Sequence, residues 1–132
     1  MDNDAPNVLI ADDDPGIRAL LTAVCKRVGF RCAGACDGLD ALEKLRSETF
    51  DVLMLDLMMP RMSGHEVIDA LESMDQRPAV IVLTAQGAKQ VEAVEQSDVV
   101  HALVHKPFEL DALSTLLIDT ARTMYERRSG QA

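Results

Sequence analysis

Short apolar runs alternate with segments of helical period along this chain. "NVLIA" at 7–11, "DVLML" at 51–55 and "AVIVL" at 79–83 are continuous apolar runs, the pattern of strands buried on both faces of a parallel sheet. "RCAGA" at 31–35 and "ALVH" at 102–105 are weaker strands, and the small residues and Gly34 of the former suit only an edge. Between the runs, apolar residues recur every three or four positions. These stripes are Ile17, Leu20, Leu21, Val24 and Val28, then Ala41, Leu42 and Leu45, then Val67, Ile68, Leu71 and Met74. Two more follow, Val91 with Val94, and Leu110, Leu113, Leu116, Leu117, Ala121 and Met124. Such stripes predict helices with one buried face. Five strands alternating with five helices make a single-domain α/β fold, a parallel sheet with helices on both faces. The domain spans residues 7–126, after a disordered or extended segment 1–6 and before a polar, frayed tail 127–132.

In open parallel sheets the reactive residues stand just beyond the carboxyl ends of the strands, near the point where strand order reverses. The first run ends in Asp12, Asp13 and Asp14, the third in Asp56, the fourth in Thr84 and Ala85, and the fifth in Lys106. Carboxylates from two strands would repel in a shared pocket, so either some are protonated or a cation sits among them. Oxygen donors without a neighbouring His or Cys suit a hard cation, and Mg²⁺ is the usual one where phosphate is handled. A lysine and a hydroxyl at the same point suit phosphoryl oxygens, and a carboxylate is a competent nucleophile toward phosphorus. Asp14 has a different reading. Asp-Pro ahead of a helical stripe is a start signal, with Asp14 as N-cap and Pro15 in the first turn.

The 22 acidic residues against 13 basic ones give a net charge of −9, which disfavours a direct nucleic-acid partner. No apolar stretch reaches the length of a membrane span, and the acidic "MDNDAPN" start is unlike a signal peptide, so the expected location is cytoplasmic. Cys25, Cys32 and Cys36 lack metal-ligand spacing and read as reduced thiols serving as small apolar residues. Met58, Met59 and Met62 read as gap fillers, and His65, His101 and His105 as ordinary surface or interface histidines.

Four motifs at consistent intervals carry a specific resemblance. They are the apolar run ending in Asp12-Asp13, "LDLMMPRMSG" around Asp56, "VLTA" with Thr84, and "HKPF" with Lys106. Together they resemble the response-regulator receiver domain, the phosphoacceptor module of two-component signalling, over residues 7 to about 125. The resemblance implies a flavodoxin-like (βα)5 sheet in the order 2-1-3-4-5. It implies Asp56 as phosphoacceptor and Mg²⁺ ligand, Asp13 as direct ligand, Asp12 as ligand through a water, and the Met58 backbone carbonyl as a further ligand. Thr84, Lys106 and the Ala85 amide would bind the phosphoryl oxygens. Pro60, Gly64 and Pro107 would shape the loops, with a cis bond before Pro107. The implied partners are a histidine kinase or histidine phosphotransfer protein and an unidentified downstream effector, with a phosphorylation-dependent homodimer also compatible.

Two departures matter. Family members often carry an aromatic residue where Leu103 stands, and an acidic run of small residues is replaced by "SDVVHAL". A leucine cannot reproduce the ring's swing between exposed and buried poses. The expected readout is therefore through the fourth helix and its flanking loops, within the face formed by that helix, the fifth strand and the fifth helix. Met58, two residues past Asp56, cannot orient water by hydrogen bonding, so self-dephosphorylation is expected to be slow. Two other function classes compete: a Mg²⁺-dependent small-molecule phosphohydrolase, and a docking module that never uses the site. The first normally needs an acid where Met58 stands.

Overall fold

The computed structural model describes residues 5–130 of the 132 in the chain. Its elements alternate as β1 (Asn7–Ala11), α1 (Pro15–Arg27), β2 (Arg31–Ala35), α2 (Gly38–Ser47), β3 (Val52–Asp56), α3 (Gly64–Glu72), β4 (Ala79–Thr84), α4 (Ala88–Glu95), β5 (Val100–His105) and α5 (Leu110–Gly130). All strand pairings are parallel and the order is β2-β1-β3-β4-β5. The chain runs from β1 to one neighbour, β2, and returns to the other, β3, so the switch point lies between β1 and β3.

Alternation along the strands sorts the core into two clusters. Leu9, Leu53, Leu55, Val80 and Val82 pack with residues of α2, α3 and α4. Val8, Ile10, Met54, Ile81 and Leu83 face the other way, onto Leu21, Val24 and Cys25 of α1 and Leu113, Leu117 and Ala121 of α5. Both faces of β1, β3 and β4 are thus covered, which is why these strands read as unbroken apolar runs. Edge strand β2 is mostly exposed or half-buried, in keeping with its small residues. Leu20 and Leu110, counted in the helical stripes, are 38% and 36% exposed.

Several boundaries differ from the sequence expectation. β3 begins at Val52; Asp51 before it bonds both neighbours, its amide donating to the Asn7 carbonyl, its carbonyl accepting from the Ala79 amide, and its side chain accepting from the Asn7 amide at 2.8 Å. β5 starts two residues before the run at 102–105, across an irregularity in its pairing with β4. Helix α5 continues through residues 127–130, which the apolar stripe could not foretell because those positions are polar. Residues 131–132 of the expected tail and 1–4 of the expected N-terminal segment lie outside the described residues. Ala5 and Pro6 are tied down, their carbonyls accepting from the side chain and amide of Arg31.

Candidate functional site

Sheet register assembles the site as a staircase. Ala11 pairs with Leu55, so Asp12 and Asp56 leave the carboxyl edge side by side. Asp56 pairs with Leu83, placing Thr84 one step beyond it, and Thr84 pairs with His105, placing Lys106 next. The Lys106 amide donates to the Thr84 carbonyl at 2.8 Å, extending the β4–β5 ladder to the site. Carboxylate oxygens of Asp12, Asp13 and Asp56 all lie within 4.8 Å of one another. Asp12 and Asp56 are buried and Asp13 is exposed.

Each carboxylate is held differently. Asp12 Oδ1 accepts from the Asp14 amide at 2.9 Å, and Oδ2 meets Lys106 Nζ at 3.1 Å. The same ammonium lies 3.4 Å from Asp56 Oδ2, while Asp56 Oδ1 accepts from the Met58 amide at 3.1 Å. Burial pushes the Asp56 carboxyl above the ordinary carboxylate range; the Met58 amide and Lys106 pull it back, while the Asp12 charge adds to the rise. Burial works against the Lys106 charge, but hydrogen bonding to Asp12 and the Asp56 charge outweigh it and raise its pKa. One ammonium therefore serves two buried carboxylates, with a third carboxylate beside them. The donors are oxygens alone and carry excess negative charge, which fits a hard divalent cation.

Asp14 is not one of the three clustered carboxylates. It caps α1, its Oδ1 accepting from the Gly16 amide at 2.8 Å, with Pro15 as the first helical residue. Thr84 is fully buried and its hydroxyl accepts from the Gln86 amide at 2.9 Å; Ala85 beside it is exposed. Leu103 is half-buried against the cluster that contains Val91 and Val94 of α4. The Lys106–Pro107 bond is cis. The Pro60 carbonyl accepts from the Met62 amide at 2.7 Å. A Cβ on Gly64 would stand 2.5 Å from the Asp56 carbonyl oxygen and 2.7 Å from Leu57 Cα, so only glycine lets the loop turn back onto β3.

Some side chains differ from their sequence reading. Met59 and Met62 pack against the core as gap fillers, but Met58 is 58% exposed. Cys25 is buried, and burial together with nearby Cys32 pushes its thiol up to about 12; Cys36 is exposed and is no apolar filler. His65 is half-buried and bonded to Gln86 Oε1 at 3.1 Å, while Gln86 Nε2 donates to Met58 Sδ at 2.9 Å. Gln86 thereby bridges the loops after β3 and β4. Sequence reasoning also missed Arg18, whose guanidinium donates to the Asp12 carbonyl at 2.6 Å. An arginine one turn into the helix that follows the acidic cluster was the available signal. The Gln86 bridge had none, since it depends on rotamers in two separate loops.

The family profile described as the response regulator receiver domain matches residues 8–118. The chain belongs to this family. Receiver domains are modules of two-component signalling, so the protein is a two-component receiver. It is 35% identical over 108 residues to sporulation initiation phosphotransferase F of Bacillus subtilis, covering 80% of this chain and 86% of that protein. Three longer regulators are spanned only to 39%, 26% and 54% of their length. Among solved structures, the receiver domain of a LuxO repressor protein from Vibrio parahaemolyticus superposes with a TM-score of 0.90 at 23% identity, covering 97% of this chain and 98% of that one. Response regulator TrrA of Thermotoga maritima, in complex with Mg²⁺ and BeF, gives a TM-score of 0.77 at 30% identity, covering 87% and 98%. Among the described residues, no helix is long and apolar enough to cross a membrane.

Proposed function

We propose that this receiver takes a phosphoryl group onto Asp56 from the phosphohistidine of a kinase or phosphotransfer protein. The observation that carries the proposal is the convergence of three carboxylates within 4.8 Å of one another and one lysine ammonium bridging two of them. An Asp56 oxygen attacks phosphorus, the P–N bond to the donor imidazole breaks, and an acyl phosphate remains. Asp13, Asp56 and the Met58 carbonyl would hold Mg²⁺, with Asp12 acting through water; the ion, when bound, offsets charge on the phosphoryl oxygens. Lys106 follows the new oxygens, and Thr84 and the Ala85 amide donate to them. Because Lys106 is shared between Asp12 and Asp56, its attraction to the incoming phosphoryl group competes with existing pairs. The domain in this way assists its own phosphorylation and the later hydrolysis of the adduct.

The adduct adds about −1.5 to −2 charge at the switch point, by analogy with other phosphorylated side chains. Thr84 sits at the end of β4 and is bonded to Gln86 on the way to α4. Movement of Thr84 therefore pulls on the β4–α4 loop and redistributes conformations of the α4-β5-α5 face, which an effector reads. With Leu103 in place of an aromatic ring, α4 and its loops carry this readout.

The test is incubation with acetyl phosphate and Mg²⁺, beside Asp56→Asn, followed by intact mass measurement. The expected result is a mass gain of one phosphate in the wild type alone. An equal gain in Asp56→Asn removes Asp56 as the acceptor. Sustained turnover of a small phosphomonoester would instead favour a hydrolase.

A further inference from the structure

The loop joining β3 to α3 carries the Met58 carbonyl, and its shape is set partly from outside the site. The Gly64 amide donates to the Leu57 carbonyl at 3.1 Å and closes the loop, while the Met62–Pro60 bond at 2.7 Å folds its middle. Between them Arg61 adopts a φ of 65°, the left-handed region, where a residue with a long side chain is strained. Such strain persists only where the surroundings over-determine the backbone.

Those surroundings come from the turn between β2 and α2. Arg61 Nε donates to Asp37 Oδ2 at 3.0 Å. The Asp37 side chain is 8% exposed, and its Oδ1 accepts from the Asp40 amide at 2.8 Å as the N-cap of α2. The carboxylate is thus immobilised before Arg61 reaches it, unlike the partners of an ordinary surface ion pair. The adjoining Gly38 adds a backbone contact, since any Cβ there would collide with the Met62 carbonyl. A buried anchor, a strained residue and a glycine-dependent contact all converge on one loop.

We infer that Arg61 is a positioning residue: by bonding Asp37 it fixes the backbone of residues 57–63 and, with it, the direction of the Met58 carbonyl toward the cation. Neither Arg61 nor Asp37 belongs to the acid cluster, so both act through the loop. This rests on the cation reading of that cluster. Asp37 then has two jobs, capping α2 and holding the loop after β3.

The experiment titrates MgCl₂ into the full chain by calorimetry and follows amide exchange of Met62 and Gly64 in the metal-free protein. Unfolding midpoints measured alongside establish that each variant is folded. Arg61→Ala, and Asp37→Asn, which keeps a cap acceptor, are expected to weaken Mg²⁺ binding about tenfold, the scale of outer-shell changes at metal sites. Both should also speed exchange of the two amides, and Arg61→Lys should recover most of each loss. Wild-type Mg²⁺ affinity in Arg61→Ala, or unchanged exchange at Met62 and Gly64, overturns the positioning role. Asp13→Asn separates the two readings. If it weakens Mg²⁺ while Arg61→Ala does not, the cation site stands and the positioning role falls. A wild-type protein that binds no Mg²⁺ overturns the cation reading and the metal half of the inference together. Exchange that speeds only when Arg61 or Asp37 is changed would still support the held loop.

Discussion

Replacing Asp56 by Asn should make the metal-free protein more stable. An Asp56 oxygen lies within 4.8 Å of one on Asp12, a repulsion of at least about 3.5 kcal/mol at an effective dielectric near 20. Lys106 Nζ, 3.4 Å away, returns about 5 kcal/mol on the same scale. Exposed Asp13 adds about 1 kcal/mol of further repulsion through water. The pairwise contributions nearly cancel, and the cost of keeping a carboxylate that is 6% exposed out of water remains. Asn keeps the acceptor for the Met58 amide and leaves Lys106 paired with Asp12. The gain should be about 1–2 kcal/mol, the share of a several-kcal/mol burial penalty not recovered by local bonds, or roughly 3–6 °C in midpoint.

The pH dependence has a definite sign. Asp56 has a folded-state pKa raised above its unfolded value, chiefly by burial, so the native state holds its proton more tightly and ionisation destabilises the fold. That destabilisation is complete above the folded pKa and is relieved as pH falls through it toward the ordinary carboxylate value. The advantage of Asp56→Asn should therefore be full near pH 8 and shrink on acidification. Urea unfolding of both proteins in EDTA across that range measures it. Millimolar Mg²⁺ should narrow or reverse the difference, because a ligand that binds only the native state stabilises whichever protein binds it better. A mutant no more stable than wild type at pH 8 in EDTA, or an advantage that grows on acidification, refutes the reasoning.

Three further outcomes are expected. Gly64→Ala should destabilise by about 2–4 kcal/mol, since its Cβ meets backbone atoms of Asp56 and Leu57 that cannot give way as a side chain would; chemical denaturation checks this, and a loss under about 0.5 kcal/mol would contradict the close approach. Met58→Asn should speed loss of phosphate from the phosphorylated protein, because an amide both donates to and accepts from water, whereas the exposed Met58 thioether is only a weak acceptor and already takes a bond from Gln86; unchanged decay, followed by intact mass, would show that this position does not govern hydrolysis. On BeF binding with Mg²⁺, amide chemical shifts in residues 86–101 should change more than that of Leu103, and a spectrum unchanged over 86–101 would exclude α4 as the readout.

Much of this architecture is local in origin. A strand buried on both faces needs an unbroken apolar run and a covering helix needs a stripe, so β1, β3, β4 and the helices were legible from residue order alone. Because parallel strands place their chemistry at their carboxyl ends, Asp12, Asp13, Asp56, Thr84 and Lys106 stood out without coordinates. The cap at Asp14 was equally local, needing only Pro15 and the stripe behind it. What residue order could not supply was any relation between distant positions. Strand register levels Asp12 with Asp56, and it brings Lys106 to Asp12 across 94 residues. Rotamers and loop packing expose Met58, join Gln86 to His65, and seat Arg61 on buried Asp37. Those contacts depend on how whole elements pack against one another, and no periodicity in a single chain encodes them.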